Sequence, residues 1–381
     1  MKLTRREFSA GLAAGLAAPA LMRSAWAQGA TIKIGMCVPV TGPAAEQGLW
    51  AQNGAKLALA AVNKAGGVLG KQVELVIEDD QTTNPGIVLA FSKLAAQSDI
   101  VAFLGSIRST QVQAMAPDVI KVGKPVMIGG TNPDLTHSGN PWLFRFRPND
   151  NYSGRVIADF GVNTLGKKKW AIVHSTDAFG TAGGKALTEA LAKLGAPPVL
   201  DQGYANQSQD FTPVVLAVKQ SGADVLGTYF TFENDLGIFA RQLRQLGVNI
   251  PWVGSPSVVA VSSTKLAGPA LYGTYGVADF AEDSSDTAKA FGKAYRDAYK
   301  TAPDNQSAWP YDAITILSAA INKAGSTDPN KIRDAILATQ KFAGAEGEYN
   351  FDKNGDGLHG YNVVKNDKGK IVYDKHIDFN D

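Results

Sequence analysis

The sequence predicts an α/β protein of two doubly wound parallel-sheet lobes, and three observations carry that expectation. Apolar strands and amphipathic helices alternate at short intervals, the order that produces parallel sheets covered by helices on both faces. The first strand, Ile32 to Val40, is apolar almost without interruption, as a strand buried on both faces requires. The whole pattern then restarts after Arg145-Phe146-Arg147-Pro148, so two similar halves stand in series.

In the first half, a helix from about Gly48 stops at Gly66-Gly67, where glycine can adopt the left-handed cap conformation. Val73 to Ile77 is the second strand, and Asn84-Pro85 starts a helix that runs through Leu89 and Leu94. Ile100 to Leu104 and Pro125 to Ile128 are the third and fourth strands. In the second half, Lys167-Lys168-Lys169 is a solvated turn before the strand Trp170 to Val173. The next helix aligns Leu187, Leu191 and Leu194 on one face, and Asp224 to Phe230 is again a strand. Asn234 or Asp235 caps a helix whose Leu236, Phe239, Leu243 and Leu246 form a stripe ending at Gly247. Pro251 to Gly254 gives one more strand, and two late helices, roughly Asp286 to Tyr299 and Tyr311 to Ala324, need a surface to pack on.

Composition narrows the function. At about 150 residues per domain, 381 residues make two or three domains, and 45% hydrophobic against 19% charged residues excludes a disordered chain. Lys+Arg 37 against Asp+Glu 35 leaves no basic field for phosphates, so nucleic acid is not an expected partner. Cys37 is the one cysteine, which excludes an internal disulfide or a cysteine zinc site; between Met36 and Val38 it reads as an inert core thiol.

The first residues read as an address. Lys2, Arg5 and Arg6 precede the apolar run Ala10 to Met22, and Ala25-Trp26-Ala27 supplies small residues for cleavage after Ala27. The run is too short to cross about 30 Å of hydrocarbon. Thr4-Arg5-Arg6-Glu7-Phe8 resembles the twin-arginine export motif, the other reading being an ordinary secretory signal. No cysteine sits at the cleavage point, so a soluble, periplasmic monomer without a membrane anchor is expected.

Catalytic devices are missing from the sequence. No P-loop, GxSxG elbow, HExxH helix or GxGxxG turn occurs, and His137, His174, His359 and His376 are scattered. Asp352-Lys353-Asn354-Gly355-Asp356-Gly357 imitates the start of a calcium loop, but its twelfth position is Val363, so a hairpin turn is expected instead. No metal, no cofactor and no catalysis are expected; a twin-arginine-exported enzyme is the rival from another class.

Thr41-Gly42-Pro43, Gly48, Gly54, the stretch Asn63 to Gly70, Glu78-Asp79-Asp80 and Pro85 resemble the first lobe of type I periplasmic binding proteins for branched-chain amino acids. Gly105-Ser106-Ile107-Arg108-Ser109-Thr110-Gln111 and the stretch Gly129 to Thr136 resemble the two ligand-contacting loops of that lobe. Ile172-Val173-His174, Phe179-Gly180 and Gly237 through Arg241-Gln242 to Gly247 resemble the second lobe. The resemblance implies two lobes joined by three crossover segments, with residues 28–147 and 281–350 in lobe one, and 148–280 and 351–381 in lobe two. It also implies a small carboxylate ligand closed between the lobes at the carboxyl ends of the strands, and an ABC transporter permease as partner.

Ser106, Ser109 and Thr131 then offer hydroxyls at helix N-termini, where a carboxylate finds donors and a favourable dipole, and Gly129 lets the backbone come close. Ile107 takes the position where leucine-binding members carry the carboxylate-binding serine, so a neighbouring serine or the guanidinium of Arg108 takes over. By the same resemblance Phe179, Phe232 and Tyr311 form an aromatic wall, with Trp50, Tyr229 and Trp309 as nearby candidates. The glutamate that pairs with the ligand ammonium aligns with Pro256, so Asp177, Glu233 or Asp235 must substitute if the ligand is an α-amino acid. Asp177 and Asp235 also fit helix capping. A branched-chain or other hydrophobic amino acid is the expected ligand, an aromatic carboxylate or amide the alternative.

Overall fold

The computed structural model describes residues 31–379, so the leader and its cleavage residue Ala27 lie outside the described residues. The first sheet contains β1 (Ile32–Val38), β2 (Val73–Asp79), β3 (Ile100–Leu104), β4 (Val126–Ile128) and β5 (Leu143–Arg145), all parallel, in the order β2-β1-β3-β4-β5. The second contains β6 (Trp170–Ser175), β7 (Leu200–Tyr204), β8 (Val225–Tyr229), β9 (Trp252–Gly254) and β10 (Tyr275–Ala278). After a small two-stranded sheet of β11 (Phe342–Ala343) and β12 (Glu348–Tyr349), the hairpin β13 (Gly360–Asp367) and β14 (Lys370–Asp378) completes the second sheet. Its order is β14-β13-β10-β9-β8-β6-β7, so read from β7 the parallel strands repeat the order of the first sheet. Both sheets therefore reverse direction at equivalent points, between β1 and β3 and between β6 and β8, where open α/β sheets leave a crevice at the carboxyl ends.

The late helices find their partner in lobe one. Ile314, Ile316, Leu317 and Ile321 of the helix Asn305–Ala324 share a core with Ile34, Met36 and Val38 of β1. Helix Ala45–Lys64 lies so close to that helix that a Cβ on Gly54 would stand 1.9 Å from the Ser307 carbonyl oxygen, which only glycine permits. Helix Asn305–Ala324 starts before the expected Tyr311, because Asp304 and Ser307 form a capping box that outweighs the breaking tendency of Pro310 inside the helix. Helix Glu233–Gln245 corrects another expectation: neither Asn234 nor Asp235 caps it, since Phe232 occupies the cap position and Asp235 instead accepts the Gln207 N–H.

Three crossings join the lobes, and hydrogen bonds tie them together. Arg147 in the first crossing pairs with Asp279 in the second, and Tyr361 at the third donates to the Pro148 carbonyl. Phe351 and Leu358 pack in the lobe-one core, and the Arg145 N–H bonds the Gly355 carbonyl, so the third crossing follows Leu358 rather than residue 350. The Asp352–Gly357 turn is correspondingly not a hairpin: it lies between β12 and β13, which belong to different sheets. The Asp352 carboxylate accepts the N–H groups of Asn354 and Asp356, and Val363 sits in the β10–β13 ladder.

Candidate functional site

Loops following β3 and β4 in lobe one face loops following β6, β8 and β9 in lobe two, and they enclose a cavity of about 170 Å³. On the lobe-one side, Ser109 opens the helix Ser109–Val122 with its N-terminus toward the cavity, so that the dipole favours an anion there. Its hydroxyl oxygen accepts the N–H groups of Thr131 at 3.2 Å and Asn132 at 3.1 Å, which joins the two loops and leaves its own hydrogen to donate. Thr131 also lines the cavity, while its hydroxyl donates to Asp150 at 3.0 Å. Burial pushes the Asp150 carboxyl up to about 7, against the hydrogen bond from Thr131 that lowers it.

Arg108 reaches across the gap. Its guanidinium donates to the Thr231 carbonyl at 3.0 Å and lies 4.4 Å from the centre of the Phe232 ring, while its Nε–H is buried without a partner. Burial lowers its pKa, and the nearby carboxylates Glu233, Asp80 and Asp177 pull the other way. On the lobe-two side stand Phe179, Phe232 and Glu233. Glu233 is buried, accepts a hydrogen bond from the Gln47 amide at 2.5 Å, and has its pKa raised by burial against the pull of Arg108.

The other expected residues stand elsewhere. Ser106 does not line the cavity: its hydroxyl is used inside the loop, donating to Gln111 at 2.6 Å and accepting the Arg108 N–H at 2.9 Å. Gly129 lies behind the lining and offers its carbonyl to Arg147 at 3.1 Å; a Cβ there would come within 3.0 Å of Trp309, so glycine is needed for packing. Trp50 is buried off the lining, and Trp309 belongs to the lobe-one core. Tyr229 is fully buried, with its hydroxyl 2.8 Å from Ser153 and its ring against Phe179 at 5.7 Å, so it supports the wall from behind. Tyr311 packs on Phe291 at 4.8 Å, outside the lining.

Among the acidic candidates, Asp177 lines the cavity but is engaged by three donors. It caps the helix Ala178–Lys193 through Gly180 N–H at 2.9 Å and also accepts from Ser175 at 3.0 Å and Asn206 at 2.8 Å. Asp235 is buried outside the lining. Ile107, Arg147, Thr231, Ser257 and Gln306 line the cavity without having been singled out for it. Ile107 and Pro256 had signalled themselves as departures from the family pattern, whereas Gln306 and Thr231 carry no sequence signal.

His137, Asp352 and Asp356 bring ligand-type atoms within 4.8 Å of one another, but Asp356 is already spent. It accepts from Arg145 at 2.8 Å, Thr136 at 2.7 Å and Asn149 at 2.8 Å, with His137 at 3.1 Å, which makes the group an ion-pair network at the crossings.

A family model described as periplasmic binding protein matches residues 31–370. The chain is 29% identical over 352 residues to Leu/Ile/Val-binding protein homolog 1 of Brucella melitensis, covering 91% of this chain and 92% of that one. Among solved structures, a leucine-binding protein of Thermotoga maritima superposes with a TM-score of 0.86 at 25% identity, covering 91% of this chain and 99% of that one. A branched-chain amino acid transporter substrate-binding protein of Streptococcus pneumoniae, in complex with isoleucine, gives 0.83 at 25% identity over 92% and 100% of the two chains.

Proposed function

The chain belongs to the periplasmic binding protein family, and from that membership we propose that it is the solute-binding component of an ABC importer. It closes its two lobes on a branched-chain or other hydrophobic amino acid and hands it to the membrane permease. The activity is binding and release, without chemistry on the ligand. The observation that carries this reading is the pairing, in one cavity between the lobes, of the donors Arg108 and Ser109 with the aromatic wall of Phe179 and Phe232. An anion at a helix N-terminus and an apolar body against rings are the two halves of such an amino acid.

Export with removal of residues 1–27, by the twin-arginine route, delivers a soluble, unanchored monomer to the periplasm. Consistent with that, among the described residues no helix is long and apolar enough to cross a membrane. An aromatic carboxylate or amide is the second reading, favoured by Pro256 in the lining where leucine-binding members carry a glutamate.

A thermal-shift series on protein lacking residues 1–27 tests both. Leucine, isoleucine or valine at 100 times its Kd is expected to stabilise by about 2.7 kcal/mol and to raise the melting temperature. No shift with any of the three, alongside a shift with benzoate or an aromatic amide, overturns the first reading in favour of the second.

A further inference from the structure

The cavity holds two unmet capacities of opposite kind on opposite walls. Arg108 in lobe one carries a buried Nε–H without an acceptor, and Glu233 in lobe two has a carboxyl group whose side-chain donor is the uncharged amide of Gln47. Both residues line the cavity, yet they form no ion pair with each other within 4.0 Å; each is the other's largest charge influence. A desolvated ammonium needs a carboxylate, and elimination leaves one. Pro256 has none, Asp235 is off the lining, and Asp177 already accepts from three donors, one of them the N–H of the helix it caps.

We propose that Glu233 binds the ligand's ammonium while Arg108 binds its carboxylate, the zwitterion completing an ion pair that the two lobes leave open. This rests on the reading that the ligand is an α-amino acid. The two charges of an α-amino acid are attached to the same carbon, so the groups that meet them must lie in one cavity; Arg108 and Glu233 both line it, and the Arg108 guanidinium lies over the ring of Phe232, the residue before Glu233. Because one group belongs to each lobe, the ligand's own charges span the closure. Gln47, from lobe one, orients the Glu233 carboxyl by its hydrogen bond. Selectivity for a zwitterion over a monocarboxylate then arises from a position next to the aromatic Phe232 instead of from the stretch at Pro256.

Calorimetric titration with leucine, 4-methylpentanoate (no ammonium) and 3-methylbutylamine (no carboxylate) tests the assignment. Wild-type protein is expected to bind leucine at least a hundredfold more tightly than either analogue. Glu233→Gln is expected to weaken leucine at least thirtyfold while leaving 4-methylpentanoate within threefold of wild type. Arg108→Gln weakens leucine and 4-methylpentanoate alike and leaves 3-methylbutylamine unchanged. Glu233→Asp, which keeps the charge on a shorter arm, recovers part of the lost affinity. Leucine binding within threefold of wild type in Glu233→Gln overturns the assignment. So does an equal loss for leucine and 4-methylpentanoate in that variant, which marks a structural role. Wild-type protein that responds to no branched-chain amino acid removes the amino-acid reading itself, a result separable from intact leucine binding in the variant.

Discussion

Arg145 supports the site without lining the cavity. It is fully buried, pairs with Asp356 at 2.8 Å, and donates to the carbonyls of Gly130, Asn132 and Pro133, so it pins the loop that presents Thr131. Arg145, His137 and Thr136 together overcome burial and hold the Asp356 carboxyl far below the usual carboxylate range. Asp356→Asn strands a buried guanidinium, and denaturant midpoints are expected to show a loss of about 3–5 kcal/mol. Asp150 behaves oppositely, because burial holds its folded pKa at about 7, above the ordinary 3.8 of an aspartate. A raised folded pKa adds stability that is complete below the unfolded value and lost as pH rises through the folded one. Wild-type protein should therefore lose stability relative to Asp150→Asn as pH rises from 5 to 8, and an equal stability difference at the two pH values contradicts this. Sequence showed Arg145 only as part of a boundary marker, since its partner lies 211 positions away and no local pattern joins them.

The elements divide by how locally they are specified. Strands buried on both faces, such as β3, are legible from apolar runs, and the site loops are legible because they follow those strands. The hairpin strand β14 alternates exposed and half-buried residues with charges throughout, so it offers no apolar run to find. Trp50, Tyr229 and Trp309 were candidates by residue type and neighbourhood, but type cannot say which face of an element a ring occupies. All three are buried off the lining, Tyr229 behind Phe179 and Trp309 in the lobe-one core. Where helix Ala45–Lys64 meets helix Asn305–Ala324, the added methyl of Gly54→Ala must push on the Ser307 backbone. A destabilisation of about 1–3 kcal/mol is expected from thermal or urea unfolding, with leucine affinity retained if the helices shift without moving the loops.

At the scale of the whole molecule, the restart after Pro148 made two lobes legible, while the third crossing was misplaced because Asp352–Gly357 is a polar turn without periodicity. Contacts across the gap hold the lobes together: Arg108 on Thr231, Gln47 on Glu233, and Asn132 on the Ala178 carbonyl at 3.1 Å. Each lobe, moreover, is interrupted by the other. The lobe-one core takes in Phe351 and Leu358, and the lobe-two cores take in Tyr361, Val363 and Val364. A chain ending at residue 350 lacks closing pieces of both, and is expected to lose the cooperative unfolding transition, measured by circular dichroism on heating. The same interruption sets a timetable for biosynthesis. A ribosome delivers this chain from its N-terminus, so neither hydrophobic interior can be sealed until the stretch 351–364 has been made. Nascent chains must carry exposed apolar surface for most of translation, and a holding chaperone is the natural companion of that interval.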